Sequence, residues 1–344
     1  MSPREFMAGT QRAHELYGDF WFNTEPLPLL GLRGNVVLME FWDFTCPYSL
    51  RMIPYLEAWK TKYAEAGLVI VGVHVPRFTF GRDPIAVERA LTRLGVTYPV
   101  LTDNEQVLWS RYEAREWPTH YVIDKDGFIR AQFTGGGNAL AIEHTLQTML
   151  CDAGGLTDFP DPVDPLYDVD RPGAVICRAT PELRAGYLRG SIGNVEGSVP
   201  ESATRYTDPS LYLEGRLYLS GTWRNGRESL TLEETGSLIV NYSATEVTAV
   251  LRAPTGQPAV LSIVQDAAPL ADEHRGRDVV SAPDGRTVVT VEEPRLYHLV
   301  RNREVGEHIL RLTSGVPGTE VYGFGFLGGT IPEFVQERRH APRG

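Results

Sequence analysis

Residues 35–57 constrain the fold of this 344-residue chain most strongly, because they join a buried strand to a helix through a cysteine. A near-continuous apolar run over residues 35–41 is typical of a strand that is covered on both faces. A short polar turn then presents Cys46, and apolar residues recur at helical spacing over residues 48–66. We therefore predict that Cys46 lies at the N-terminus of a helix that follows a central strand.

The position predicted for Cys46 favours a reactive thiol. Unpaired N–H groups and the positive end of the helix dipole stabilise a thiolate. Such placement lowers a cysteine pKa from about 8.5 into the range 3.5–7.5. Ser49 follows three residues later on the same helix face, so its hydroxyl is expected to donate a hydrogen bond to the sulfur. The alternative is an inert core cysteine, since free cysteines are often buried.

Four residues of this turn match a known pattern. Trp42, Cys46, Pro47 and Tyr48 stand in the order W-x-x-x-C-x-x-C, and the chain here resembles thioredoxin-fold redoxins of the TlpA/DipZ type. The chain departs from that pattern at Ser49, which replaces the second cysteine and leaves one thiol. The resemblance implies a thiol-disulfide oxidoreductase in which Cys46 is the nucleophile.

The same resemblance implies roles for residues outside the turn. Thioredoxins hold a buried carboxylate six residues before the cysteine, which assigns proton handling to Glu40; a partly solvated carboxylate at a strand end is the alternative. The 117–119 segment is expected to contain a cis-proline that packs against the cysteine and shapes a docking groove. His74 and His120 are interpreted as structural. The candidate catalytic residues are Cys46, Ser49, Glu40 and Pro118, and the candidate groove residues are Trp42, Pro47, Tyr48, Trp117 and Thr119.

Helical and strand patterns alternate over residues 31–153 and predict an α/β thioredoxin fold with a mixed central sheet and the redoxin insertion. Residues 1–30 are expected to form an extended N-terminal arm. Asp126-Gly127 is a two-residue hairpin signal. The predicted strands cover residues 35–41, 68–74, 98–101, 119–123 and 128–133, and the predicted helices cover residues 48–66, 84–94, 107–112 and 139–150.

A stretch rich in Pro, Asp and Gly predicts a linker over residues 154–179. Short strand patterns separated by turns then predict an all-β jelly-roll or β-sandwich domain over residues 180–334, with a tail over residues 335–344. Residues 180–187 are expected to form a short helix or turn, and they resemble the entry to the carbohydrate-binding-module-like domain of TlpA/DipZ relatives. The predicted strands cover residues 211–223, 230–233, 237–242, 246–253, 259–265, 287–291, 296–301, 307–313 and 321–327.

Aromatic side chains make carbohydrate a candidate partner of the second domain. Alternating aromatics in strands are more often part of a core, which is the alternative interpretation. The candidate stacking residues are Tyr206, Tyr212, Tyr218, Trp223, Tyr297 and Tyr322.

Composition excludes several partners and cofactors. A net charge of −11, from 33 Lys and Arg against 44 Asp and Glu, argues against nucleic acid. No segment has the length and hydropathy of a signal peptide or a transmembrane span, and three cysteines fit a reducing compartment, so we expect a cytoplasmic protein. Histidines lack ligand spacing, and neither a metal nor another cofactor is expected.

A single thiol limits the reactions that the site can perform. Cys46 is expected to catalyse monothiol exchange, deglutathionylation or isomerase-like shuffling on protein or low-molecular-weight thiol and disulfide substrates. Cys151 and Cys177 are interpreted as bystanders. One alternative is a thiol peroxidase-like activity. Another is a redox-inactive binding protein that uses the groove and the second domain for recognition of proteins or carbohydrates.

Overall fold

The computed structural model describes residues 4–5 and 11–330. The chain divides into two compact units, Met1–Pro172 and Gly173–Gly344. The tail predicted over residues 335–344 lies outside the described residues. Within the described ranges, no helix is both long enough and apolar enough to cross a membrane.

The first unit is built on a mixed sheet flanked by helices. Its strands are β1 (Arg4–Glu5), β2 (Trp21–Phe22), β3 (Val36–Trp42), β4 (Leu68–His74), β5 (Val100–Thr102), β6 (Thr119–Ile123) and β7 (Ile129–Thr134). Its helices are α1 (Pro47–Tyr63), α2 (Pro84–Leu94), α3 (Val107–Arg111) and α4 (Ala139–Ala153). The strand order is β1-β7-β6-β3-β4-β5-β2, with β3 parallel to β4 and antiparallel to β6. The predicted thioredoxin fold is confirmed.

Both edges of this sheet come from the predicted N-terminal arm. β1 pairs with β7, and β2 pairs with β5, both in antiparallel fashion. Between them, Arg12 forms a bridge with Phe128, and the Ala13 N–H donates to the Gly127 carbonyl at 3.0 Å. These contacts make the described parts of the arm members of the sheet, where they cover strand edges that would otherwise be open.

The boundaries of the central elements follow the apolar periodicity closely. β4, α2 and β6 begin and end at the predicted residues, and β3 is displaced by one residue. The hairpin predicted around Asp126-Gly127 forms between β6 and β7, but its turn is longer than two residues. The turn runs from Asp124 to Phe128, where the Asp124 N–H donates to the Phe128 carbonyl at 2.9 Å. The Asp124 carboxylate explains the wider turn, because it accepts from the N–H groups of Asp126 and Phe128 at 3.0 and 2.8 Å.

β3 divides its side chains between two apolar layers. Even-numbered residues such as Leu38 and Trp42 pack with side chains of α1 and α4, while odd-numbered residues such as Met39 pack on the opposite face. Glu40 is one of the even-numbered residues, so its side chain lies on the face of the sheet that α1 and α4 cover, and it is fully buried there. It is the one charged residue of this strand. A buried carboxylate is costly unless it is partnered, which directs attention to its neighbours.

Part of the predicted linker packs on the first unit. Both carboxylate oxygens of Glu143, on α4, lie within 3.0 Å of the Val163 backbone nitrogen. The hydroxyl of Tyr55, on α1, accepts from the Leu166 N–H at 2.7 Å and donates to Asp170 at 2.9 Å. These hydrogen bonds hold residues 163–170 against the two helices.

Replacing Glu143 by Gln should loosen this segment. The exchange rate of the Val163 amide should rise about tenfold, because losing a hydrogen bond to a charged group costs about 1.5 kcal/mol. Native-state hydrogen exchange measures that rate directly. Glu88→Gln, on the exposed surface of α2, is the matched control. Unchanged exchange at Val163 in Glu143→Gln would contradict the assignment.

The described part of the second unit is an antiparallel β structure, as predicted. Its strands are β8 (Leu183–Arg184), β9 (Ala203–Tyr206), β10 (Leu217–Asn225), β11 (Leu230–Arg252), β12 (Ala259–Gln265), β13 (Ala268–Pro269), β14 (Val279–Ser281), β15 (Thr287–Val291), β16 (Arg295–Ser314) and β17 (Glu320–Leu327). Within residues 180–187, which were predicted to form a short helix or turn, Leu183–Arg184 instead form β8, which pairs with β17, and a turn begins at Tyr187.

Two long strands replace five that were predicted separately. β11 spans three predicted strands and β16 spans two, and they pair with each other along most of their length. The first half of β11 also pairs with β10, and its second half pairs with β17. A register shift between Ala244 and Glu246 moves the core-facing positions from even numbers, such as Val240, to odd numbers, such as Val247. The bulge thus bends the strand around one core without ending it.

Candidate active site

Cys46 is the N-cap residue of α1, which confirms its predicted place. Its backbone N–H donates to the Asp43 carbonyl and its own carbonyl accepts from the Leu50 N–H, both at 3.0 Å. The helix begins at Pro47, whose missing N–H has no cost at the first helical position. The cysteine is 4% exposed. The thiol therefore lies at the end of α1 where backbone N–H groups have no helical partner.

The Trp117–Pro118 peptide bond is cis, as the resemblance implied, and it lies against the thiol. The Cys46 thiol donates to the Trp117 carbonyl at 3.4 Å. Pro118 is buried, and its carbonyl accepts from the Gly135 N–H at 2.8 Å. Thr119 is also buried, and its hydroxyl donates to the carbonyl three residues earlier at 2.7 Å. The structure brings Cys46, Trp117 and Pro118 together, whereas Thr119 faces the interior.

The remaining groove candidates are divided between interior and surface. Trp42 is fully buried, and its indole lies so close to Gly72 that an added Cβ there would be 2.9 Å from Nε1. Pro47 is buried as well. Tyr48 is 37% exposed. Tyr48 and the half-buried Trp117 are therefore the groove candidates that present surface, and Trp42 supports the site from within.

Ser49 lies in the first turn of α1 and is fully buried. Its Oγ has no hydrogen-bond partner among the described residues, so the bond predicted from Ser49 to the Cys46 sulfur is not formed in this structure. A buried hydroxyl without a partner costs about 1–3 kcal/mol.

The other cysteines do not complete a two-thiol site in the first unit. Cys151 lies twelve residues after Ala139, where α4 begins, which is about 18 Å along the helix axis. The start of α4 follows the Gly135 contact with Pro118, so Cys151 lies at the helix end remote from the thiol. A disulfide needs Cα atoms within about 7 Å of each other. Cys177 belongs to the second unit.

Asp43 builds the turn that presents Cys46, a role that the sequence analysis missed. Its carboxylate accepts from the Thr45 backbone N–H at 2.6 Å, from the Thr45 hydroxyl, and from the Arg77 backbone N–H at 3.0 Å. The Arg77 guanidinium donates to the Thr45 carbonyl at 2.9 Å. Asp43 therefore ties the turn to the residues that follow β4. An aspartate two residues before a threonine is an Asx-turn signal, which is visible in the sequence.

His74 supplies a second partner for this carboxylate. Its Nε2 lies 3.4 Å from Asp43 Oδ2, and both side chains are buried. The imidazole stacks on Phe44 with ring centroids 5.2 Å apart. Burial opposes ionisation of Asp43, yet His74, Arg77 and Thr45 together hold the pKa of this carboxyl below its ordinary value of 3.8. Asp43 is therefore an ionised group in the interior, fixed from several sides.

Glu40 forms a second buried pair, with His120. The two residues stand directly opposite each other on β3 and β6, and Glu40 Oε1 lies 3.3 Å from His120 Nε2. Burial, together with the neighbouring Glu40 carboxylate, raises the pKa of Tyr98 well above its ordinary value of 10.0. The sequence identified Glu40, but the partnership with His120 depends on strand register and has no local sequence signal.

The aromatic residues proposed for sugar stacking are mostly core residues of the second unit. Tyr212 is half-buried, and its hydroxyl donates to Asp208 at 2.5 Å. The buried aromatics are Tyr206, Tyr218, Trp223, Tyr297 and Tyr322.

Across the described parts of both units, no group of three or more His, Cys, Asp or Glu side chains is arranged to hold a metal ion.

Asp43→Asn should destabilise the first unit by about 2–4 kcal/mol at pH 7, because the carboxylate accepts several buried hydrogen bonds. Folding lowers the pKa of Asp43, so its contribution is complete above the ordinary value of 3.8 and is lost as pH falls through the lower folded value. The stability difference between wild type and variant should therefore shrink below about pH 4. Urea unfolding followed by tryptophan fluorescence measures it, since five of the six tryptophans precede residue 172.

Asp158→Asn is the control for this measurement, because Asp158 is exposed and lies outside the turn. It should leave both the stability and its pH dependence unchanged. A stability loss in Asp43→Asn that stays constant down to pH 3 would show that Asp43 does not act through its charge.

Two family models match this chain. A model described as the AhpC/TSA family matches residues 22–132, and a model described as the thioredoxin-like C-terminal domain matches residues 180–326. The first match falls in the first unit and the second match falls in the second unit.

The chain is also similar to individual proteins. Protein DipZ of Mycobacterium tuberculosis is 31% identical over 255 residues, which are 72% of this chain and 35% of DipZ. The thiol-disulfide oxidoreductase ResA of Geobacillus kaustophilus is 29% identical over 117 residues, which are 34% of this chain and 64% of ResA. A thioredoxin-like protein solved in solution in its oxidised form is 28% identical, with 42% of this chain and 99% of that protein covered and a TM-score of 0.39.

The matched region thus spans about a third of the length of the DipZ relatives. The match to the AhpC/TSA family model, over residues 22–132, includes Cys46 and the Trp117–Pro118 dipeptide. Residues 22–132 thus match a thioredoxin-like redoxin family, residues 180–326 match a thioredoxin-like C-terminal domain, and the chain is similar to DipZ and ResA.

Proposed function

We propose that this protein is a thiol-disulfide oxidoreductase that acts through Cys46 as the single thiol of its site. The placement of Cys46 at the N-cap of α1, against the carbonyl of a cis-proline dipeptide, is the observation that carries the proposal. The name of the ResA relatives supports the same reaction class. Its substrates would be disulfides and thiols of proteins or small molecules, in the cytoplasm.

The reaction begins with the Cys46 thiolate. It attacks one sulfur of a disulfide, an S–S bond to Cys46 forms, the original S–S bond breaks, and the second sulfur leaves as a thiolate that takes up a proton. The helix end and the Ser49 hydroxyl stabilise the negative charge on Cys46. Asp43 contributes by keeping the turn fixed, so that the sulfur does not have to be ordered in each reaction cycle.

The absence of a second thiol at position 49 determines how the cycle ends. In a C-x-x-C site the second cysteine attacks the mixed disulfide with the advantage of an intramolecular reaction. A serine hydroxyl cannot do so, and the mixed disulfide on Cys46 persists until an external thiol attacks it. This behaviour suits monothiol exchange, deglutathionylation or isomerase-like shuffling. Carbohydrate binding is not part of the proposed function, because the aromatic candidates of the second unit are mostly buried.

Alkylation of Cys46 by iodoacetamide should reach half its maximal rate below about pH 7.5, as expected of a thiol at a helix N-terminus. Cys46→Ala supplies the background from Cys151 and Cys177. Ser49→Ala should move the midpoint to higher pH, because the thiolate loses a hydrogen-bond donor. Ser110→Ala, an exposed serine on α3, should not move it. A wild-type midpoint at or above pH 8.5 would sink the proposal.

Ser49→Cys should convert the site to a two-thiol site. A mixed disulfide formed on Cys46 should then resolve at least about a hundredfold faster than in the wild type, because the new thiol attacks within the molecule. Release of a chromogenic thiol measures both rates. Ser110→Cys adds a thiol elsewhere on the surface and should have no such effect. Equal lifetimes in wild type and Ser49→Cys would mean that residue 49 does not face the reacting sulfur.

A further inference from the structure

Arg77 places a positive charge beside the peptide group that leads into Cys46. Its guanidinium donates to the Thr45 carbonyl at 2.9 Å. That carbonyl belongs to the peptide group that ends at the Cys46 nitrogen, and covalent bond lengths alone then put the donating nitrogen within about 9 Å of the sulfur. The charge of Arg77 is therefore close enough to contact a small molecule that reacts at the thiol.

Trp117 provides a second contact for the guanidinium. The guanidinium carbon of Arg77 lies 5.7 Å from the centroid of the Trp117 ring, a distance at which the ring face attracts a cation. The ring is itself fixed, since its Nε1 donates to the Val75 carbonyl at 3.0 Å and it stacks on Trp109 with centroids 4.3 Å apart. The carbonyl of the same tryptophan accepts from the Cys46 thiol at 3.4 Å. Two separate contacts thus hold Arg77 to residues that flank the thiol.

Arg77 reaches the surface, whereas the carboxylate of the neighbouring turn does not. Asp43 is fully buried, and its oxygens accept from Thr45 and from the Arg77 backbone. Arg77 is half-buried, so part of the residue is open to solvent. A guanidinium has five N–H donors in a planar fork, so it can contact the interior through one edge and an anion through another. An incoming substrate therefore meets the positive member of this pair.

We propose that Arg77 determines the substrate specificity of the Cys46 site by binding a carboxylate that the substrate carries close to its disulfide. This inference rests on the proposed function, and it names the substrate class as small disulfides that bear carboxylates. Arginine binds a carboxylate through two parallel N–H···O bonds, which fix the orientation of the substrate as well as adding affinity. Because the chain carries a net charge of −11, a local positive charge is also needed to offset the repulsion of anions.

The test compares an anionic and a neutral disulfide on the same thiol of the full chain. Dithiobis(nitrobenzoate) carries a carboxylate on each ring, and dithiodipyridine is neutral at pH 7. Arg77→Gln should lower the ratio of the anionic to the neutral exchange rate about tenfold, because a charged hydrogen-bond partner of the substrate is lost. A change in the pKa of the thiol alters both rates and so leaves their ratio unchanged. The wild-type ratio should fall at high salt, which screens the charge of Arg77.

Two further variants separate charge from packing. Arg77→Lys keeps the positive charge and should retain part of the preference for the anionic disulfide, whereas Arg77→Gln should lose it. Arg89→Gln removes an exposed arginine of α2 and should leave the ratio unchanged. Cys46→Ala supplies the background from the other two cysteines.

Alkylation gives a measurement that does not depend on disulfide exchange. Iodoacetate and iodoacetamide react with a thiol in the same way and differ in a carboxylate and an amide. The ratio of their rates at Cys46 should fall in Arg77→Gln and should be unchanged in Arg89→Gln. Mass spectrometry of the peptide that contains Cys46 measures both rates.

The outcomes separate this inference from the proposed function. Equal losses with the anionic and the neutral reagents in Arg77→Gln would show that Arg77 only shapes the turn or activates the thiol, and would overturn the inference. Equal ratios in Arg77→Lys and Arg77→Gln would overturn it as well, because the charge would then have no effect. If Cys46 prefers iodoacetate in an Arg77-dependent way but exchanges with neither disulfide, the proposed function fails and the carboxylate site stands.

A thiol that reacts with none of these reagents would also end the proposed function, and a binding measurement then decides the inference. S-methylglutathione carries carboxylates and cannot exchange. Its titration should move the NMR signal of the side-chain N–H groups that disappears in Arg77→Gln. A signal that does not move would overturn the inference.

Discussion

The hydrogen bonds of the Asp43 carboxylate are the interaction on which the candidate site depends. One buried side chain accepts from both polar groups of Thr45 and from the backbone of Arg77, and it pairs with His74. These contacts fix the short turn between β3 and α1, and the turn fixes the N-cap position of Cys46. The charge of Asp43 therefore serves to fix the turn, and the turn orients the thiol that performs the proposed chemistry.

The interior around this turn is unusually polar for the centre of a sheet. Glu40 and His120 form one buried pair, Asp43 and His74 form a second, and the Ser49 hydroxyl is buried without a partner. The hydrogen bonds of Asp43 explain why the second pair is retained, whereas replacement of a buried pair such as Glu40–His120 by apolar side chains is often neutral for stability. Asp43 belongs to the turn that presents the thiol and His74 contacts it, whereas Glu40 and His120 meet between β3 and β6.

Much of this architecture could be predicted from the sequence, because its signals are local. Apolar runs defined β4, α2 and β6 to the residue, and the strand-to-helix pattern placed Cys46 at the N-cap. The cis-proline came from the resemblance, since composition alone favours trans. The Trp42 and Thr119 side chains were expected in a groove and lie in the interior, because a residue's exposure depends on which elements cover it.

Contacts between strands that are far apart in the sequence could not be predicted. His120 pairs with Glu40 eighty residues away, and only the register of β3 against β6 brings them together. In the second unit, polar residues near the bulges of β11 and β16 resemble the residues of turns. The prediction therefore divided two continuous strands into five. A bulge keeps the two strands paired, but beyond it the side chains that face the core change from even to odd positions. A pattern of alternating apolar and polar residues cannot distinguish such a bulge from a turn that reverses the chain.

The most direct test of the account is the intact mass of the protein after incubation with oxidised glutathione. The account predicts one glutathione adduct on the peptide that contains Cys46. The adduct should be absent from Cys46→Ala, stable in buffer, and lost when an external thiol is added. No adduct, or adducts confined to Cys151 and Cys177, would contradict the claim that Cys46 is a nucleophile in thiol-disulfide exchange.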